Sequence, residues 1–347
     1  MIYYDVTKMG AARHKSGLMR VSSRLRGALG DAPNPVIWKN GHFVGENGTP
    51  VAWRPGDWLV TVELFSGAER PGFREFVAAR PSRLGAVFAD AIPLKFPHIT
   101  WPQSVQRHPD YMKILAGFDR VWAISDFVQE ELAGFWAWQG VVPRARLGRI
   151  ELGADFDDSP RARTPPAFSG RPSLLCVGII EPRKNQTFLL EVADALWRDG
   201  VDFDLHIVGR VNPHFGEPIV RRIKAVAKRE PRLRLHLGAG DAKLRELYTS
   251  ARAVVFPTIA EGCGLPVIEA LWRGVPCVCS DLPVLRELTA AGGCVSAKVN
   301  DAADWCAQLA PLLAGKARAE NLAREAVSRP LPTWAEAGAQ LRAELTG

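Results

Sequence analysis

Along the second half of the chain, apolar and polar positions alternate between two rhythms. The short apolar runs LLCVG (174–178), FDLHIVG (203–209), LRLHLG (233–238), AVVFP (253–257) and VPCVCS (275–280) have the length of buried strands. Between them the period changes to that of helices. After Lys184, the residues Phe188, Leu189, Val192 and Leu196 recur on one helix face. Asp241 precedes AKLRELYTSA as the expected N-cap of a second helix. Pro266 suits the start of a third, VIEALWR, and Gly274 its end. Strand–helix–strand repetition predicts a parallel sheet with helices on both faces. The first half alternates less cleanly. It offers strands at IYYDV (2–6), DWLVTVELF (57–65), LGAVFAD (84–90) and VWAIS (121–125), with helices starting near Gly17, Gln103 and Asp126.

With 347 residues, the chain is long for a single core. The stretch DDSPRARTPPAFSGRP (157–172), rich in Pro, Arg and Ser, reads as a linker. The expected division is a first domain over 1–156, a second over 173–328, and a C-terminal helix over 329–347 that crosses back to the first. Doubly wound sheets bind ligands at the carboxyl ends of their strands, so residues directly after strands carry the candidate chemistry.

An apolar share of 47% and a charged share of 23% are those of a globular protein. The net charge of +7 suits an anionic ligand, a phosphorylated substrate or an acidic membrane surface, and equally a solvated basic surface. No apolar stretch reaches the roughly 20 residues of a membrane span. The N-terminus lacks the apolar core of a signal peptide. The six cysteines, Cys176, Cys263, Cys277, Cys279, Cys294 and Cys306, lie mostly in apolar runs without His or further Cys at ligand spacing. They read as buried thiols in a reducing cytoplasm.

The stretch EGCGLPVIEALWRGVPCVCSD (261–281) follows an apolar strand. Glu261 falls in the loop, and Glu269 is expected in the first turn of the next helix. Gly262 and Gly264 let the backbone approach a ligand. Two carboxylates so placed suit a hydroxyl-rich ligand, unless Glu269 only complements the helix dipole. Arg183 and Lys184 ahead of a helix suggest an anion site, or a solvated basic pair. Asp155–Asp157 and Asp202–Asp204 have a spacing used by metal-dependent transferases, but their settings read as incidental and no metal is expected.

This stretch resembles the Glu-x7-Glu motif of retaining glycosyltransferases of family GT4, glycosyl transferases group 1. LLCVGIIEPRKNQTFLLEVADAL, LGAGDAKLRELYTSARAVVFPT, VWAISDFVQEEL and IELGADFD match further family segments in order, so the resemblance covers most of residues 84–290. It implies the GT-B fold: two Rossmann-like doubly wound α/β domains facing a central cleft, the first for the acceptor and the second for the nucleotide sugar. Glu269 matches the glutamate on the donor's ribose. Glu261 matches the one at the donor sugar, with backbone N–H groups of Gly262, Cys263, Gly264 and Leu265 beside it. Lys184, with Arg183 next to it, matches the lysine on the diphosphate. Gly17 matches a glycine of the acceptor-domain loop, and His14, Lys15 and Ser16 adjoin it. The family's His before Asp90 is Ala89 here, which leaves Asp90, or His98 nearby, at the reacting sugar. The family's Arg after the glycine matching Gly178 is Ile179.

Metal-independent hexose transfer with retention follows as the expectation, in surface polysaccharide or lipopolysaccharide synthesis, catalysed by Glu261, Lys184 and Asp90. No cofactor is expected beyond a nucleoside-diphosphate sugar, with GDP-mannose favoured. Partners are that donor, a glycan or lipid-linked acceptor, and no nucleic acid. The location is cytoplasmic. Contact with the inner membrane would run through a basic face at Arg20, Arg24 and Arg26 with Trp136 and Trp138, unless these residues only pack. Rival readings are a GT-B protein that binds sugar nucleotide without turnover, which Ala89 favours, a nucleotide-sugar epimerase of the same fold, and a dinucleotide site at GAGD (238–241), which lacks a third glycine.

Overall fold

The computed structural model describes residues 1–9, 17–157 and 159–346. The chain divides into two units, Met1–Gly153 together with the segment from Pro332, and Ala154–Leu331.

The first unit holds seven strands: β1 (Ile2–Asp5), β2 (Pro33–Lys39), β3 (His42–Gly45), β4 (Trp58–Thr61), β5 (Arg83–Phe88), β6 (Arg120–Ala123) and β7 (Arg146–Arg149). Their order is β3-β2-β1-β4-β5-β6-β7. All neighbours are parallel except the β2–β3 hairpin. That hairpin turns through Asn40 at φ 50° and Gly41 at φ 83°, the left-handed pair a tight two-residue turn demands. The core gathers Leu59, Leu84, Phe88, Val121 and Leu132. The Trp334–Thr346 helix belongs to this unit and lies against the Gly17–Ala28 helix, with Arg342 donating to the Leu29 carbonyl at 2.9 Å. Its Glu344 accepts from Arg120 Nε and Trp122 Nε1, each at 2.8 Å.

The second unit is a six-stranded, wholly parallel sheet: β8 (Ser173–Val177), β9 (Asp204–Val208), β10 (Leu233–His236), β11 (Ala253–Phe256), β12 (Cys277–Ser280) and β13 (Cys294–Ala297). The order is β10-β9-β8-β11-β12-β13. Every residue of β11 and β12 is buried, as strands covered by helices on both faces require. The chain winds outward from β8 in one direction and from β11 in the other, so the crossover of a doubly wound sheet falls between them. The stretch DDSPRARTPPAFSGRP is tied to this unit: Ala162 N–H donates to the Trp272 carbonyl at 3.0 Å, Arg161 donates to the Arg329 carbonyl, and Phe168 enters the core.

Two local expectations are corrected. Gly240, not Asp241, occupies the N-cap, because the extended residue is the glycine and Asp241 already lies in the first turn. Trp136 is not exposed: it is 2% accessible, and its Nε1 donates to the Met112 carbonyl at 2.7 Å. Four cysteines are buried, and all six are unbridged. Burial pushes the Cys176 thiol up to about 12.

Candidate active site

At the crossover of the second sheet, two loops meet. One follows β8: Pro182–Lys184 form a single 3-10 turn, Asn185 takes φ 58°, and the Gln186–Arg198 helix begins. The other follows β11 and runs through Thr258 and Glu261 to Gly264 at φ 85°, the N-cap of the Leu265–Trp272 helix. A side chain at Gly264 would meet the left-handed backbone penalty and lie 2.6 Å from Leu285 Cδ2.

Three donors converge on one oxygen. Lys184 Nζ reaches Glu261 Oε1 at 2.5 Å, Arg183 Nη1 at 2.7 Å and Thr258 Oγ1 at 2.8 Å. Among the described residues no hydrogen bond reaches Oε2, and that oxygen is not among the fully buried unpartnered atoms, so it meets solvent. The backbone reinforces the junction, with Ile259 N–H donating to the Arg183 carbonyl at 2.9 Å. Lys184 is only 10% exposed along its side chain, and its ammonium lies 4.7 Å from the Phe256 ring centre. One of its three N–H groups is spent on Glu261, leaving two.

Charge follows this geometry. Burial works against ionisation of Glu261, but the Arg183 and Lys184 cations outweigh it and hold the carboxyl below the usual carboxylate range. Burial lowers the Lys184 ammonium from the ordinary lysine range despite Glu261 beside it. Arg183 also pairs with Glu181 at 2.8 Å. The turn is therefore not the open cationic tip that Arg183 and Lys184 suggest in sequence, since two carboxylates balance two cations.

Arg183, Lys184 and Glu261 are thus brought together directly. Glu269 is the fifth residue of its helix, past the first turn where it was expected, because the helix starts at Leu265. It is 3% exposed, with Tyr248 Oη 3.5 Å from Oε2. Gly262 is buried, Leu265 half-buried, and Cys263 packs beside Ile268 and Trp272. Asp90 lies in the first unit, two residues past β5, where Oδ1 accepts the Ile92 N–H at 3.0 Å. Its carbonyl meets His108 Nε2 at 2.9 Å, and burial lowers that imidazole's basicity. His98 is exposed. Gly17 opens the Gly17–Ala28 helix of the first unit; His14, Lys15 and Ser16 lie outside the described residues. Asp157 pairs with Arg273 at 2.5 Å, and Asp202 and Asp204 pair with Arg171 at 3.1 and 3.5 Å.

Sequence reading missed Thr258, Glu181 and Asn212. The signal for Thr258 was a hydroxyl directly past the strand-ending Phe256-Pro257. For Glu181 it was a third charge in the Glu-Pro-Arg-Lys run. Asn212 gave none beyond a turn residue before Pro213.

The glycosyl transferases group 1 family matches residues 159–329. The chain is 30% identical over 325 residues to the serotype-specific mannosyltransferase WbdA of Escherichia coli, covering 82% of this chain and 38% of that protein. It is 28% identical over 183 residues to O-antigen chain mannosyltransferase B of Escherichia coli, covering 50% of this chain and 46% of that one. The chain therefore spans less than half the length of these curated relatives. Among solved structures, Anabaena Alr3699/HepE in complex with UDP and glucose aligns with a TM-score of 0.72 at 11% identity, over 100% of this chain and 99% of that one. That likeness is one of fold, the two-sheet α/β architecture of the GT-B class. The family match falls on the unit that carries Lys184, Glu261 and Glu269, and the chain belongs to the glycosyl transferases group 1 family, GT4.

Proposed function

We propose that this protein transfers a hexose, mannose or a deoxyhexose, from a nucleoside-diphosphate sugar to a glycan or lipid-linked acceptor in surface polysaccharide synthesis. Transfer proceeds with retention and without a metal. The observation that carries the reading is the convergence of Lys184, Arg183 and Thr258 on Glu261 Oε1 at the sheet crossover. The relatives named as mannosyltransferases favour mannose, with GDP-mannose as donor.

In this reading the first unit takes the acceptor and the second the donor. Glu261 Oε2 accepts from a donor-sugar hydroxyl, and Glu269 from the ribose. The two remaining N–H groups of Lys184 meet the diphosphate and stabilise the charge that builds on the leaving oxygen. Fixed cations replace a metal here, and Asp157, Asp202 and Asp204 of the two Asp-x-Asp pairs are engaged by arginines. The leaving phosphate takes the acceptor's proton on the same face, so Ala89 in place of a histidine does not block the step. Asp90, in the first unit, has Oδ1 committed to the Ile92 N–H. The reading places the protein in the cytoplasm. Membrane contact, if made, runs through Trp138 and Val142, which are 77% and 93% exposed, rather than through buried Trp136.

Binding without turnover is the second reading, favoured by Ala89 and by the exposure of His98. A thermal-shift panel with UDP, GDP, ADP and dTDP sugars separates these outcomes when followed by assay of donor hydrolysis. GDP-mannose is expected to raise the melting temperature by mass action and to be consumed. Stabilisation without consumption supports the second reading, and silence across the panel overturns both.

A further inference from the structure

Behind Glu261 runs a chain of polar groups that spans three neighbouring strand ends. Asn212 follows β9, Glu181 and Arg183 follow β8, and Ala260 and Glu261 follow β11. Asn212 Nδ2 donates to Glu181 Oε2 at 2.8 Å. Glu181 Oε1 accepts from Arg183 Nε at 3.0 Å. Arg183 Nη1 donates to the Ala260 carbonyl at 2.9 Å and to Glu261 Oε1 at 2.7 Å. Asn212 is itself fixed, because its Oδ1 accepts the backbone N–H groups of His214 at 2.9 Å and Phe215 at 3.3 Å. Each link is thus held at both ends.

We infer that Glu181 and Asn212 are positioning residues of the donor site, acting through Arg183, which serves as a strut for Glu261 rather than as a ligand of the diphosphate. The inference rests on the reading of Glu261 as a donor ligand. A guanidinium that already donates to Glu181, Ala260 and Glu261 is ill suited to a phosphate. It is well suited to lock a carboxylate rotamer, since its planar fork fixes direction as well as distance. With Oε1 locked by the strut, Lys184 and Thr258, Oε2 takes a single position. Glu181 also offsets the charge of Arg183, so that Lys184 is the cation left to face the donor.

The test uses the full chain and GDP-mannose as probe, with UDP-glucose beside it. Calorimetric affinity is measured for wild type, Glu181→Gln, Arg183→Lys and the double variant. Each single substitution is expected to weaken GDP-mannose about tenfold, and the double variant no more than Arg183→Lys alone, because both break one path. A roughly hundredfold, additive loss overturns the inference. The second readout is the pH profile of affinity. Arg183→Met removes one of the cations that hold the Glu261 carboxyl low, so in that variant the acid limb moves to higher pH; an unmoved limb with uniformly weaker binding means support of the fold only, and overturns the inference. Asn212→Ser, outside the guanidinium's contacts, guards against misfolding of the charged variants. Its loss of about threefold should vanish in the Arg183→Lys background, and persistence there counts against the path. The reading of the site fails separately: if Glu261→Gln binds both probes as wild type does, the donor assignment is wrong, whereas a weakened Glu261→Gln with an unaffected Glu181→Gln removes only the positioning role.

Discussion

A carboxylate oxygen that takes three donors cannot rotate without breaking all of them, and this is how Glu261 is held. Removing one partner of such a pair leaves the other partly buried and uncompensated, at a cost of about 1–3 kcal/mol. Isosteric changes therefore test function more cleanly than truncation. Lys184→Met and Glu261→Gln should each lower turnover about 100-fold, the scale expected for loss of one preorganised charge contact, with only a modest fall in melting temperature. Wild-type turnover in both variants would remove them from the site. A second buried group gives a pH prediction. Asp5, Arg70 and Glu63 form a buried network at the ends of β1 and β4, with Arg70 at 2.6 Å from each acid. Burial and then the Asp5 charge push Glu63 from 4.5 up to about 7. The folded state keeps this proton after the unfolded state has released it. The contribution is thus complete below about pH 4.5 and fades as pH rises through about 7, by up to ~3 kcal/mol. Urea unfolding at pH 5 and pH 8 should show that decline in wild type and lose it in Glu63→Gln.

At the level of elements, the long, fully apolar runs were the legible ones. AVVFP and VPCVCS became the all-buried strands β11 and β12, because a strand covered on both faces needs no polar alternation. RLGR, the β7 segment, lacks any apolar rhythm and sits at the sheet edge paired with β6 on one side, so its strand character comes from pairing rather than pattern. The β2–β3 hairpin was also missed, although Asn40-Gly41 between apolar runs is a strong turn signal. The loops of the site were half legible. Glycines, charges and strand ends pointed to Lys184 and Glu261, but the Arg183–Glu181–Asn212 chain joins residues distant in sequence through sheet order, which no local pattern encodes. The start of the Leu265–Trp272 helix is a testable element. Gly264→Ala imposes a left-handed non-glycine residue and an overlap with Leu285, together about 2 kcal/mol, or several degrees of melting temperature. The same shift displaces the turn that follows Glu261, so donor stabilisation should weaken with it. An unchanged melting temperature would mean that the Leu285 side chain gives way freely.

At the scale of the whole molecule, the residues assigned to the donor, Lys184, Glu261 and Glu269, all fall in Ala154–Leu331, while Gly17 and Asp90 fall in the other unit. Each unit encloses its own apolar core, one around Leu59, Leu84 and Val121 and the other around Leu189, Ile207 and Val255. A unit of about 180 residues with its own six-stranded parallel sheet and core buries enough surface to fold alone. Residues 154–331 produced by themselves should therefore unfold in one cooperative transition and still be stabilised by GDP-mannose, but transfer no sugar. Failure to unfold cooperatively would show that the second core depends on the first. A folded fragment that ignores GDP-mannose, while the full chain responds, would move part of the donor grip to the first unit, with Gly17 as the place to look. Retained binding without transfer is the expected result, because on the proposed function gripping the sugar nucleotide needs only the crossover loops of the second sheet, whereas moving the sugar also needs the acceptor that this reading gives to the first unit.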